Sequence, residues 1–463
     1  MMKRAFSLLS TLALGACVSM APSYERPDLP TPNAWPQGAA YTQGVAGEAA
    51  LPDWQSFYAD DNLRQLIGIA LENNRDLRIA ALNIERARST YRVQRAQSVP
   101  SINASASSQN GETPVAAGGT GETARLFSAE ASITAFELDL FGRVRSLNNA
   151  ALQRYFATEA GRDSVQISLI AEVATAYIAY AGDLERLRLA QDTLQSQQQS
   201  LTLIQRRFEA GASSQLDVFR ARTTVETARA DVARYTALTA QDENALTLLL
   251  GTPIPEALRP TSIDAIAFGA AELPPALPSQ VLLKRPDIVA AEHELRASNA
   301  NIGAARAVFF PSISLSGSAG QIDPSFDALF AGAGESWSFA PRITIPIFAG
   351  GANIARLDGA RTDRDIAVAQ YERSIQIAFR EVADALAERN MIGEQVAARE
   401  ALASATSAAY EISQARYREG IDSYLGQLDA QRELYAAQQG LVDARVARAA
   451  NYVALYRTLG GGA

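Results

Sequence analysis

The chain has one cysteine and one histidine in 463 residues. A lone cysteine excludes an internal disulfide, and Cys17 with His293 leaves no cluster of the ligand types that hold a transition metal. One histidine is also a thin inventory for catalysis. No nucleophile, base and acid stand out together, so neither an enzyme nor a cofactor is expected. Beyond the first residues there is no run of eighteen apolar side chains, so no transmembrane helix is expected, although strands can still cross a bilayer. Cations are in deficit: 42 Lys and Arg against 50 Asp and Glu give a net charge of −8, which argues against nucleic acid as a partner.

What the chain does have is a duplication. Arg207-Phe208-Glu209-Ala210-Gly211 recurs as Arg416-Tyr417-Arg418-Glu419-Gly420, and Leu250-Gly251 recurs at the same offset as Leu459-Gly460. Upstream, Asn74-Arg75-Asp76-Leu77 leading to Val99-Pro100-Ser101-Ile102 is echoed by Arg285-Pro286-Asp287-Ile288 leading to Phe310-Pro311-Ser312-Ile313. The pattern predicts two structural repeats, 61–251 and 279–460, each a helix, two strands and a long helical hairpin. Such a plan suggests an elongated, pseudo-symmetric object in which each half buries its apolar stripe against the other.

The N-terminus reads as an address. Lys3-Arg4, the apolar run from Ala5 to Leu14 and Leu14-Gly15-Ala16-Cys17 form a secretory signal peptide, residues 1–16, ending in a lipobox. Cys17 is then the lipidation site, and its covalent lipid supplies the two anchors that stable attachment needs. An ordinary signal with an incidental cysteine is the plain alternative. Val18-Ser19 puts no Asp beside the cysteine, which favours the outer over the inner membrane. Proline-rich stretches, Ala21 to Pro36 within the N-terminal segment 17–60 and the linker 252–278, suit a collar or linker better than a packed core.

Strands are expected at about 101–110 and 125–142, and again at 312–321 and 336–348. Ile102, Ala104 and Ala106 alternate with Ser101, Asn103, Ser105 and Ser107, while Ile313, Leu315, Gly317 and Ala319 alternate with Ser312, Ser314, Ser316 and Ser318. Phe127 to Ile133 and Trp337 to Ile347 keep the pattern. Apolar on one face and small polar on the other is what a membrane barrel with a wet lumen requires, although soluble hairpins would alternate too. The parity slips after Ile133 to Phe136, Leu138 and Leu140, which predicts a bulge or bend, and Pro341 and Pro346 suggest another. Gly111 to Thr123 and Asp323 to Glu335 read as exposed hairpin loops. Four strands cannot close a barrel, which needs about eight or more, so the wall must be shared between copies. Two chains and three chains both satisfy this.

Long helices carry the other signal. Val173, Tyr180, Leu187, Leu194, Leu201 and Phe208 keep a heptad spacing, with Ile170, Tyr177 and Leu184 as companions. Val382, Arg389, Val396, Ala403, Tyr410 and Tyr417 hold the same register in the second half. A helix from Ser146 to Ala210 would be on the order of 100 Å long at ~1.5 Å per residue. Its companion positions become Gln191, Gln198 and Gln205 toward the turn, as in a coiled coil around a water-filled bore or in a solvated stalk.

Several strings resemble a known family. They are Ala70-Leu71-Glu72-Asn73-Asn74-Arg75-Asp76-Leu77, Phe136-Glu137-Leu138-Asp139-Leu140-Phe141-Gly142-Arg143, Gln241-Asp242-Glu243-Asn244-Ala245-Leu246, Arg285-Pro286-Asp287 and Gly420-Ile421-Asp422-Ser423-Tyr424-Leu425. Over essentially the whole mature chain they are similar to the TolC-like outer-membrane factors, in the lipoprotein branch that includes OprM and NodT. The resemblance implies a mixed α and β membrane protein: a homotrimer whose twelve-stranded β-barrel, four strands per chain, lies in the outer membrane and continues into an α-helical coiled-coil tunnel through the periplasm. It implies a passive conduit for export of small molecules such as drugs in a tripartite efflux system. The implied partners are a periplasmic adaptor (membrane fusion) protein and an inner-membrane pump of the resistance-nodulation-division type. Competing readings are a type I secretion conduit for polypeptides and a non-conducting periplasmic scaffold lipoprotein. The lipobox speaks against the first and the serine-lined strands against the second.

In the family the tunnel closes at its periplasmic end through apolar and acidic residues braced by ionic links, and the stretch that matches here runs from Leu425 to Arg432. Leu425, Asp429 and Arg432 can share one helix face. Leu425 is expected to narrow the bore, Asp429 to form an acidic ring and Arg432 to hold neighbouring helices closed. A solvated charge pair beside a core leucine is the plainer account. The hairpin tips, Arg207 to Leu216 and Arg416 to Leu425, resemble adaptor-docking sites, with Gly211, Ser213, Ser214, Gly420, Asp422 and Ser423 as the candidate residues. Turn chemistry alone would also select the glycines.

Overall fold

A computed structural model describes residues 19–41, 52–112, 123–268, 279–332 and 334–461. The expected signal peptide, Cys17 and most of the Gly111 to Thr123 loop lie outside the described residues. In chain order the elements are α1 (Trp54–Phe57), α2 (Asp61–Asn73), α3 (Arg75–Ala96), β1 (Ile102–Glu112), β2 (Thr123–Leu138), α4 (Arg143–Glu209), α5 (Gln215–Leu250), α6 (Pro286–Ala307), β3 (Ser312–Asp323), β4 (Glu335–Thr344), α7 (Ala352–Arg418) and α8 (Tyr424–Thr458). Helices α4 and α7 are each 67 residues long and contain no proline, so nothing interrupts their hydrogen-bond ladders. The most apolar stretch of α4 has the length and composition to cross a membrane, yet most of it is buried within the protein.

The chain divides into two compact units, and neither coincides with one sequence repeat. Each takes corresponding parts of both halves: 1–28, 83–159 and 290–372 in one, 29–82, 160–289 and 373–463 in the other. The physical reason is that β2 of the first half pairs with β3 of the second, so the halves interleave instead of folding separately.

The first unit holds the sheet. Its helical part packs on small side chains: Ala150, Ala297 and Ala300 form a buried cluster, and a Cβ at Gly303 would fall 2.6 Å from both the Ala21 nitrogen and the Ser146 Oγ. Residues 20–26 lie along α6 rather than forming the loose linker expected from their prolines. Asn299 Nδ2 donates to the Pro22 carbonyl at 2.8 Å, and Arg306 donates to that of Met20 at 3.0 Å. Glu292, buried, accepts from Arg26, Arg296 and Tyr24. Burial alone would raise its carboxyl, but Arg296 and Arg26 override that and hold it below the usual range.

The second unit has a core of Phe57, Tyr58, Leu63, Leu66, Ile67, Tyr177, Leu246, Leu250 and Tyr456, all essentially inaccessible to solvent. Phe57 stacks on Tyr456 with ring centroids 4.4 Å apart. Part of the expected linker joins this core: Leu258 and Ile263 are buried on two short 3₁₀ turns, and Tyr58 bridges to Phe268. Trp35, from the other proline-rich stretch, stacks on Phe379 at 4.8 Å. Spaced prolines suppress regular structure, but they do not prevent large apolar neighbours from being buried.

Within this unit the duplicated motifs make duplicated joints. Asn74 Nδ2 donates to the Leu249 carbonyl at 2.9 Å at the end of α5, and its repeat equivalent, Arg285, donates to the Thr458 carbonyl at 2.7 Å at the end of α8. Both satisfy carbonyls that a helix terminus leaves without partners. Gly251 and Gly460 beside them both have positive φ, and a Cβ at Gly251 would meet the Asn73 carbonyl oxygen at 2.6 Å.

Candidate functional site: the two-faced sheet and the hairpin ends

The four strands form one antiparallel sheet in chain order, so β1 and β4 each pair on one side only among the described residues. Directly paired residues share a face. Ile102, Ile133, Gly317 and Phe339 make one row, and Ala104, Ala131, Ala319 and Trp337 the next on the same face. The other face carries Asn103, Ser132, Ser318 and Ser338, then Ser105, Glu130, Gly320 and Ser336. Hydroxyls meet across strands there, Ser107 with Ser128 at 2.8 Å and Ser318 with Ser338 at 2.9 Å. On the apolar face Trp337 and Phe339 are 79% and 64% exposed in the single chain, a large apolar area that calls for a cover.

The parity slip after Ile133 is a bulge, with register shifting between Ile133 and Phe136. Ala135 takes φ 49° and donates its N–H to Ser316 Oγ at 3.0 Å. The extra residue returns Phe136 and Leu138 to the apolar face, opposite Leu315 and Ile313. No matching irregularity occurs at Pro341, which pairs in register with Leu315. β2 ends at Leu138 and β4 at Thr344, short of 142 and 348, so Ile345, Ile347 and Pro346 follow the ladder rather than belong to it.

At the hairpin ends, Gly211 (φ 76°) and Gly420 (φ 73°) stop the long helices in the left-handed conformation. The Ala212 N–H donates to the Arg207 carbonyl at 2.7 Å and that of Ile421 to Arg416 at 2.9 Å, closing both helices alike. The two returns then differ. Ser214 caps α5 in a reciprocal box with Asp217, which also accepts from Ser213, so both serines are occupied by turn chemistry. Ser423 starts α8 without a side-chain cap, and Asp422 is instead clamped by Arg416 at 2.6 and 3.0 Å. That guanidinium holds the Asp422 carboxyl below its usual range.

The ends of the two hairpins pack on each other. Ile204, Ala221, Tyr417, Tyr424 and Leu428 form a buried cluster, and the Arg207 guanidinium lies 4.7 Å over the Tyr417 ring and donates to the Arg418 carbonyl. Burial pushes the Tyr424 hydroxyl up to about 12. Leu425, Asp429 and Arg432 are all exposed on one face of α8, adjacent to the face that buries Tyr424 and Leu428, so the expected shared face exists. Arg432 pairs with Asp429 within α8 at 3.7 Å, both about half exposed, an arrangement worth well under 1 kcal/mol on its own. Behind that face the interior is polar: Gln427 and Gln431 are buried, and Thr224 donates to buried Gln197 at 2.7 Å. Sequence reading missed this layer and the Arg207 clamp. Tyr424, Leu428 and Gln431 at helical spacing signalled the first, and nothing signalled the second.

Among the described residues no group of His, Cys, Asp and Glu is placed to hold a metal. A sequence profile described as "Outer membrane efflux protein" matches twice, over residues 66–252 and 277–461. The chain belongs to that family. It is 47% identical to the toluene efflux pump outer membrane protein TtgC of Pseudomonas putida, over 100% of this chain and 96% of that protein. The fold matches a crystal structure of a membrane protein from Pseudomonas aeruginosa with a TM-score of 0.88 at 43% identity, covering 96% of this chain and 100% of that one. It matches the open state of the MtrE outer membrane channel of Neisseria gonorrhoeae with 0.87 at 37% identity, covering 96% and 98%. This TolC-like protein is thus an outer-membrane efflux component, long helices joined to a small sheet, in a family of conduits.

Proposed function

We propose that three copies of this efflux protein form a twelve-stranded barrel in the outer membrane, continued by an α-helical tunnel, as a passive duct for small molecules. The observation that carries this is the sheet: among the described residues, four strands, unpaired at both edges, with one apolar face and one hydroxyl face. An open edge in lipid leaves backbone groups without partners, so β1 of one copy must meet β4 of another. The apolar face then turns to lipid and the hydroxyl face lines the lumen. Leu187, Leu194 and Leu201 on α4, only half-buried within one chain, supply apolar surface for neighbouring copies.

In this reading Cys17 carries the lipid, and the tips around Gly211, Ser213, Ser214, Gly420, Asp422 and Ser423 dock a periplasmic adaptor coupled to a resistance-nodulation-division pump. Leu425, Asp429 and Arg432 line the periplasmic closure. The name of TtgC, a toluene pump component, supports small apolar cargo over polypeptides. The test is the mass and single-channel conductance of the detergent-solubilised oligomer. A trimer that conducts is expected; a stable monomer that never conducts would sink the proposal.

A further inference from the structure

The hydroxyl face of the sheet carries three charged side chains among the described residues: Glu130, Glu137 and Arg342. Their placement is not even. Glu137 is neutralised by Arg143, with contacts of 2.9 and 2.5 Å. Glu130 and Arg342 have no ion-pair partner among the described residues, so each keeps a net charge on this face.

Their rows are far apart. Glu130 is level with Ser105, Gly320 and Ser336, whereas Arg342 is level with Ser314 and, one strand further, with the Glu137 that Arg143 neutralises. The stretch of β3 from Ser314 to Gly320 separates them, roughly 20 Å at about 3.4 Å per residue. Glu130 also has a bare neighbour. A Cβ at Gly320 would fall 2.5 Å from the Glu130 Cα and 2.7 Å from its Cβ, so no side chain fits beside the carboxylate on that strand. On the apolar face the charged positions Arg125, Asp323 and Glu335 stand at the loop end of the sheet, away from Leu138, as a lipid-facing surface demands.

From this we infer that Glu130 and Arg342 set the ion selectivity of the strand-built part of the duct. Glu130 supplies a ring of carboxylates within the wall, and Arg342 supplies a ring of guanidiniums near its helix-side mouth. This rests on the trimeric barrel with the hydroxyl face as lumen. With a screening length of about 10 Å at 0.1 M salt, the two rings act on separate stretches of the path. Cationic solutes are favoured past the first ring and anionic ones past the second, independently of any closure at the hairpin ends.

The test is the cation-to-anion permeability ratio of reconstituted trimers under a KCl gradient. Glu130→Gln is expected to lower the ratio and Arg342→Gln to raise it, each on the order of twofold at 10 mM salt, where screening reaches about 30 Å, and much less at 1 M. The double variant returns toward the parent. Glu130→Asp and Arg342→Lys, which keep the charge, hold the parent ratio and separate charge from packing. Conducting trimers of both neutral variants with unchanged ratios at low salt would overturn the inference, as would an Arg342→Gln trimer that loses thermal stability without any shift. If the parent protein forms no conducting trimer, the barrel reading itself fails.

Discussion

Asp242 illustrates how one side chain can be placed at a cost. On α5 its carboxyl faces Asp183 of α4, whose own partner Arg186 is shared: Arg186 contacts Asp183 at 2.5 Å and Asp443 of α8 at 3.1 and 2.5 Å. Burial and the like charge of Asp183 push Asp242 up to about 6, against a smaller pull from Arg186. A carboxyl raised in the folded state binds its proton more tightly there than in the unfolded chain. Its contribution is therefore fully present below about pH 4 and is lost as pH rises through 6. After allowance for solvent screening the effect is about 1 kcal/mol. Asp242→Asn should stabilise the protein by that amount at pH 8 and flatten the decline between pH 4 and 6, as read from melting temperatures across pH. A larger decline in the variant would contradict the account. Asp242 stood in a string used for family resemblance, yet no spacing rule reveals that a carboxylate of another helix faces it.

At the level of elements, helices, strands and turns were written locally. Proline-free stretches gave α4, α5, α7 and α8, left-handed glycines ended the long helices, and a two-residue alternation gave the strands and, at Ile133, the bulge. The hairpin ends show where local rules separate from partners. The Ser-x-x-Asp box at Ser214 is readable in the sequence, whereas the Arg416–Asp422 clamp replaces a cap that Ser423 was equally placed to supply. Ser214→Ala should cost about 1 kcal/mol, seen as faster amide exchange at the start of α5, while Ser423→Ala should change exchange at the start of α8 by only a few tenths. Equal losses at both ends would show that Ser423 caps after all. The prolines misled because their spacing speaks to regularity, not burial: Leu258, Ile263 and Trp35 found apolar neighbours far away in the chain.

For the whole molecule, the exposed line Leu425, Asp429 and Arg432 has meaning only with other copies present. Among the described residues of one chain Arg432 forms an ion pair with Asp429 alone, at surface strength. If Arg432 also braces neighbouring helices, Asp429→Asn and Arg432→Gln should raise single-channel conductance several-fold while leaving trimer mass unchanged, the size expected when links worth about 1 kcal/mol are lost. Identical currents would remove these residues from the closure. By itself the sequence determined periodicity, caps, the twofold repeat and the two-sided chemistry of the strands, because each depends on neighbours within a turn or a pleat. Only the tertiary structure decided which halves interleave, which glutamines are buried and which charges on the sheet are left unpaired, because those depend on residues hundreds of positions apart that the register of β2 on β3 brings together.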